Sequence, residues 1–162
     1  MFSMEEWHLK PFQESANNVF GMFQLSPQIG SPSKRETAFT GNEILTVIGV
    51  TGDLRGQVYL GMSTAAAMNI ASVMMGGAAI AEFDAMAQSA VSELGNMICG
   101  NAAIALYSKE GLSLDITPPT LVAGSGMEVS AVKMNVVSIP IHLEGMDGME
   151  MNLALEAGRN EG

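Results

Sequence analysis

Residues 44–62 read ILTVIGVTGDLRGQVYLGM, and two strands with a turn between them are legible in that stretch. Ile44-Leu45-Thr46-Val47-Ile48-Gly49-Val50 is rich in β-branched residues, which pack well on a pleated surface. Gly52-Asp53 marks a turn. Gly56-Gln57-Val58-Tyr59-Leu60-Gly61-Met62 then alternates with period two. The stretch predicts a β-hairpin.

Downstream of it, Ser63 or Thr64 is placed to cap a helix over Ala65–Met75, which Gly76-Gly77 stops. A longer helix opens with Glu82 and Asp84, acids that suit the positive end of the helix dipole, and runs to about Tyr107 or Ser108 before Gly111. Leu112, Leu114 and Ile116 alternate as a short strand before Pro118-Pro119, and Thr120–Gly126 reads as a loop. Two strands follow, Met134–Leu143 and Met149–Leu155, with a Gly145–Gly148 turn between them. Pro140 inside the first predicts an edge or a bulge. Upstream of the hairpin, Pro11 suits the first position of a helix over Pro11–Phe23, whose Phe12, Ala16, Val19, Phe20 and Phe23 recur at helical spacing. Ser26–Ser33 is a predicted loop. The order of helix, strands, two helices and strands predicts an α+β fold, an antiparallel sheet with helices packed on one face. Hairpin-length links leave little room for parallel crossovers.

The chain has 162 residues, enough for one domain with a sizeable core, so 1–162 is read as a single domain with its core over about 11–156 and a frayed tail over Gly158–Gly162. Seven Lys and Arg against seventeen Asp and Glu leave a net charge of −10. That balance argues against nucleic acid and against an anionic membrane surface as partners, since both need clustered cations and only Lys34-Arg35 are adjacent. The apolar run Ala65–Ala81 is broken by Gly76-Gly77 and is too short to span a bilayer. Residues Met1–Lys10 carry Glu5 and Glu6 and lack the apolar core of a signal peptide. The single Cys99 excludes an intramolecular disulfide. Together these features predict a cytoplasmic protein.

The long helix carries the strongest signal. At 100° per residue, with Ser89 at zero, Glu93 lies near 40°, Asn96 near −20° and Gly100 near 20°. Ala87, Val91, Leu94, Ile98 and Ala105 fall on the opposite side. The polar face has no Lys or Arg, whereas a solvated helix face usually mixes long side chains of both signs. Asn and Gly are mediocre helix formers, so local stability is given up to present a carboxylate and an amide beside approachable backbone. Two readings stand: a solvated face with incidental polar residues, or a docking surface that presents one acid and one amide.

Written out, Ser89-x3-Glu93-x2-Asn96-x3-Gly100-Asn101 is SAVSELGNMICGNA. It resembles the signature of the CheC/CheX/FliY phosphatases of bacterial chemotaxis, and is most similar to the CheX type. The resemblance runs in order from about Pro11 to Leu155. It takes in the Pro11-Phe12 helix, Val47–Asp53, Gly56-Gln57-Val58, Met74-Met75-Gly76 and Leu114–Gly124. It implies a CheC-like, pseudo-duplicated fold and dephosphorylation of a phosphorylated CheY-like receiver domain, whose phosphate sits on an aspartate. It further implies that Asn96 orients the attacking water, that Glu93 pairs with the receiver's lysine, that Ser89 supports docking and that Gly100 lets the helix surface pack closely. No metal of its own is implied, because Mg²⁺ is held by the bound response regulator. A homodimer is implied, and the apolar content and a free edge expected of the strands Met134–Leu155 make them its contributors. The alternatives are a non-catalytic, CheX-like receiver-binding or scaffold module, and a generic acidic domain whose helix face is accidental.

Helix one carries a fainter copy. Glu14, Asn17 and Gly21 also fit Glu-x2-Asn-x3-Gly, but Lys10 stands in the slot that matches Ser89. Cys99 has no evident cationic neighbour and reads as a small packed side chain. His8 and His142 lack zinc-ligand spacing, and the fourteen methionines read as adaptable packing. Gly124-Ser125-Gly126 has neither the lysine nor the following helix of a phosphate loop.

Overall fold

The computed structural model describes residues 4–36, 38–40, 42–131 and 134–158. Its elements, in chain order, are α1 (Glu6–Met22), β1 (Gln28–Ile29), β2 (Ser33–Arg35), β3 (Ala38–Thr40), β4 (Ile44–Gly52), β5 (Leu54–Met62), α2 (Thr64–Met74), α3 (Ala85–Glu110), β6 (Leu114–Ile116), β7 (Thr120–Ala123), β8 (Glu128–Ser130), β9 (Val136–His142) and β10 (Met149–Ala157).

The hairpin forms the middle of the sheet. β4 and β5 pair antiparallel with Ile44 opposite Met62 and Val50 opposite Gly56, joined through Asp53. Gly52 sits at φ +109°, a conformation that favours glycine. The strand order is β1-β9-β10-β5-β4-β6, with β2 also on β9 and β7 also on β4, and every pairing among the described residues is antiparallel. The α+β architecture is therefore the expected one.

Alternation divides the strands into two faces. Ile44, Ile48, Val58, Leu60, Met151, Leu153, Ile139 and Ile141 point to the helices. They pack against Phe12, Ala16 and Phe20 of α1, Ala67 and Ile70 of α2, and Val91, Leu94 and Ile98 of α3. The opposite face carries a second, smaller core in which Leu45, Tyr59, Val136 and Ala154 meet Val129 of β8 and Ala131. The two-stranded β3–β8 ribbon lies outside the main sheet.

Several boundaries differ from expectation. Pro11 is not the first residue of α1, because the helix begins at Glu6. Glu5 caps it, with its N–H donating to His8 Nδ1 at 2.8 Å, and Trp7 stacks on His8 at a centroid distance of 3.6 Å. Burial lowers the His8 pKa, which favours the neutral ring, and the Glu5 N–H makes Nδ1 its acceptor. Ser26–Ser33 is not wholly loop, because Gln28–Ile29 adds to β9. Thr120–Ala123 is a strand on β4, not part of a loop. Glu82 lies outside α3, and Asp84 is its N-cap, accepting from Ala87 N–H at 3.0 Å. Gly111 ends α3 at φ +69°. Ser63 caps α2 through Ala66 N–H at 3.0 Å.

Pro140 marks a break in the sheet edge. β1 ends at Ile29 opposite Ile141, and β2 begins at Ser33 opposite Ser138. The chain between them leaves the ladder, with Gly30 N–H reaching the Pro140 carbonyl at 2.8 Å. A missing amide costs least there. The free edge expected within Met134–Leu155 is not found: β10 lies between β9 and β5, and β9 between β10 and β1/β2. The outer strands are short, a common device against edge-to-edge pairing. Of the expected frayed tail, only Gly158 belongs to the described residues, and its N–H donates to the Asp53 carbonyl at 2.8 Å.

Candidate functional site

α3 lies across the helix-covered face of the sheet, its buried side made by Ala87, Val91, Leu94, Gly95, Ile98, Cys99, Ala102 and Leu106. Ala105, expected on that side, is only half-buried. Gly95 sets the depth of the contact. A Cβ there would stand 3.1 Å from Thr46 Cγ2 and 3.2 Å from Ile48 Cδ1 of β4. α1 fixes the helix from a second direction: the buried Ser15 hydroxyl donates to the Ile98 carbonyl at 2.6 Å.

With the helix so seated, all four expected residues face outward together. Ser89 and Glu93 are exposed, and Asn96 and Gly100 are half-buried. Glu93 and Asn96, three residues apart, are surface neighbours on one helix face. Neither side chain has a hydrogen-bond or ion-pair partner among the described residues. A Cβ on Gly100 would meet only Ile116 Cδ1, at 3.8 Å, an ordinary contact. None of the described residues therefore demands glycine there. Beside the motif, Pro119 and Leu121 line a shallow groove with Ser89, Ser92 and Glu93. The turn that carries Pro119 is anchored at Thr117, whose Oγ1 accepts from Gly49 N–H at 2.8 Å.

The copy on α1 differs in its surroundings. Glu14 is bound by Lys109 of α3 at 3.2 Å and lies 3.9 Å from Lys10. Asn17 is exposed and shares an open groove with Lys10, Gln13 and Ile29. A carboxylate that already has two cations is a poor docking acid for a third. Asn17→Ala is accordingly expected to leave hydrolysis of a phosphorylated receiver within about twofold of wild type, the scatter of a surface substitution. A phosphate-release assay that shows a larger loss would make Asn17 part of a working site.

Cys99 is 2% exposed, and burial pushes its thiol up to about 12, so it stays a thiol and packs. Of the five described Lys and Arg, four pair with carboxylates: Lys10 and Lys109 with Glu14, Arg35 with Glu150 and Arg55 with Glu156. No cationic patch is left among the described residues to hold a phosphate backbone. No described helix is long and apolar enough to cross a membrane.

Gly95, Ser15, Pro119 and Leu121 are absent from the residues singled out by sequence. Gly95 stands inside the motif, and its place on the buried arc of the helix was the available signal. Pro119 and Leu121 lie inside the Leu114–Gly124 stretch of the resemblance, which gave them no role, and Ser15 offered no signal, since it acts through a contact made only in the fold.

Comparison with known proteins points to one family. The family model described as chemotaxis phosphatase CheX matches residues 44–142. The chain is 32% identical over 145 residues, 90% of each chain, to the CheY-P phosphatase CheX of Thermotoga maritima. The crystal structure of a chemotaxis protein CheX from Desulfovibrio desulfuricans superimposes with a TM-score of 0.82 at 26% identity, covering 93% of this chain and 99% of that one. The CheX of a CheX–CheY–BeF₃–Mg²⁺ complex from Borrelia burgdorferi gives 0.77 at 26% identity, covering 92% and 97%.

Proposed function

The chain belongs to the chemotaxis phosphatase CheX family, and from there we propose that it hydrolyses the aspartyl phosphate of a CheY-like receiver domain. The observation that carries the reading is the pair of free side chains, Glu93 and Asn96, side by side on the one outward face of α3 without cations. In this reading the receiver brings the phosphoryl group, a lysine and Mg²⁺. This chain adds position, which is most of what phosphoryl transfer needs from a protein.

Asn96 enters the receiver's site. Its Oδ1 accepts a hydrogen bond from water and its NH₂ can donate, and neither group titrates near neutrality. The water held this way attacks phosphorus in line. The new P–O bond forms as the acyl P–O bond breaks, which leaves inorganic phosphate and the receiver's aspartate carboxylate. Glu93 pairs with the receiver's lysine and sets the register of α3 against it. Ser89 and Gly100 lie on the same surface and border the contact. A carboxylate held by Lys109, as Glu14 is, could not do the same without giving up its partner.

Release of inorganic phosphate from a set of phosphorylated receivers tests the reading. Glu93→Ala is expected to raise KM about tenfold or more, since a hydrogen bond between charged groups is worth about 1.5–3 kcal/mol. An unchanged KM would show that Glu93 does not dock the receiver. Binding of receivers without any phosphate release by the wild-type chain would leave the scaffold reading instead.

A further inference from the structure

The outward face of α3 continues past the motif. With Ser89 as zero, Met86, Glu93, Asn96, Gly100, Ile104 and Tyr107 all lie within about 60° of it, spaced by three and four residues. Three of these are large apolar side chains that stand exposed: Met86 is 66% exposed, Ile104 66% and Tyr107 65%. They make up half of the six large hydrophobic residues that the described chain exposes, gathered on one stripe of one helix. An exposed Ile in the body of a helix does nothing for the helix, since Lys, Glu or Gln would form it better. Clustered exposed apolar side chains mark an interaction surface.

Size and charge select the occupant. Ile104 lies eight residues beyond Asn96 and Tyr107 eleven, about 12 and 16 Å along the axis at 1.5 Å per residue. A receiver domain roughly 30 Å across, seated with its phosphoryl group over Asn96, covers both. The stripe carries two charges, Glu93 and, at the end of the helix, Glu110, both negative, and the chain as a whole carries −10, so no long-range field draws in an acidic partner. Apolar contact is what remains to provide affinity.

We infer that Ile104 and Tyr107 form an apolar anchor for the receiver domain, on the same face as Glu93 and Asn96, and set which receiver this chain accepts. The inference rests on the proposed phosphatase reading and adds to it the part of the surface that selects the substrate. Ile104 and Tyr107 touch neither the phosphoryl group nor the water, so they act on binding and not on the chemical step.

The test uses the full chain, with Ile104→Gln and Tyr107→Gln combined. Both are exposed helix positions where Gln keeps the fold, and an unchanged melting temperature checks this. The probe is a CheY-like receiver from the same genome, loaded with Mg²⁺ and beryllofluoride for binding and phosphorylated for turnover. The expected result is a Kd and a KM raised about tenfold or more, with kcat at saturation within about twofold of wild type. Wild-type affinity in the double variant overturns the inference, as does a loss confined to kcat. So does an unchanged affinity with a halved sedimentation mass, which assigns the stripe to a second copy of this chain. Failure of the wild-type chain to bind any loaded receiver overturns the phosphatase reading itself. Wild-type binding without phosphate release does the same while leaving the anchor open to the Kd comparison, so the two failures are distinguishable.

Discussion

Asn96→Ala is expected to lower phosphate release from a phosphorylated receiver by about two orders of magnitude or more, because holding the attacking water in line is the contribution asked of this side chain. The loss should fall on kcat. Asn96 is half-buried on the surface of α3 and has no intramolecular partner among the described residues, so its truncation disturbs neither the helix nor the core. Affinity for a beryllofluoride-loaded receiver should stay within about threefold, since Glu93 and the rest of the face remain. Asn96→Asp separates geometry from chemistry. It keeps the shape and an acceptor oxygen, but it brings a negative charge to a phosphoryl group and removes the donor. It too should be severely impaired. Full activity in Asn96→Ala would place the water under the control of another group and end the assignment.

Where the fold was legible in the sequence, the signal was periodic and local. The 44–62 hairpin, the cap Ser63, the opening of α3 near Asp84 and the stop at Gly111 all follow from residue types acting on their own neighbourhood. The misses have a common cause. The start of α1 depends on His8 accepting from Glu5 N–H, a cap that lacks the usual Ser, Thr, Asp or Asn. Thr120–Ala123 is flanked by Pro118-Pro119 and Gly124-Ser125-Gly126, so the local signals favour a loop, and only pairing with β4 makes it a strand. The second core, under Val129 and Ala131, depends on short strands whose partners lie far away in the chain. The candidate site divides in the same way. Glu93 and Asn96 were readable because helical spacing places them on one face. Which of the two Glu-x2-Asn-x3-Gly copies keeps a free carboxylate was not readable. That depends on Lys109, at the far end of α3, folding back onto Glu14.

Gly95→Val tests the remaining element, the seat of α3 on the sheet, and the expected effect is on both stability and rate. The first atom of any side chain at this position would lie 3.1 Å from Thr46 Cγ2 and 3.2 Å from Ile48 Cδ1. A cavity of about 10 Å³ borders the contact, lined by Thr46, Ile48, Gly95, Ile98 and Cys99 among others. That is room for about one water molecule. Thr46 and Ile48 can yield a few tenths of an ångström into it, enough for a methyl group. Gly95→Ala should therefore be close to neutral, its gain of up to about 1 kcal/mol in helix propensity offset by the tight contact. Valine adds two further methyl groups against a fully buried Thr46 and Ile48. Overpacking of this kind costs about 1–3 kcal/mol, and each kcal/mol lowers Tm by about 2–4 °C in a chain of this size. The rate follows from the neighbouring residue. Asn96 is next in sequence, so lifting α3 from β4 shifts the amide against a receiver whose phosphoryl group does not move with it. A misplacement of about 1 Å can cost about a hundredfold. Gly95→Val is expected to lower kcat at least about tenfold at a temperature where the variant is folded, with Gly95→Ala keeping most of the wild-type rate. A valine variant with wild-type kcat and Tm would show that the close approach at Gly95 does not position Asn96. A variant that loses Tm alone would make Gly95 a packing residue and leave the geometry of the amide to Ser15 and the α1 contact.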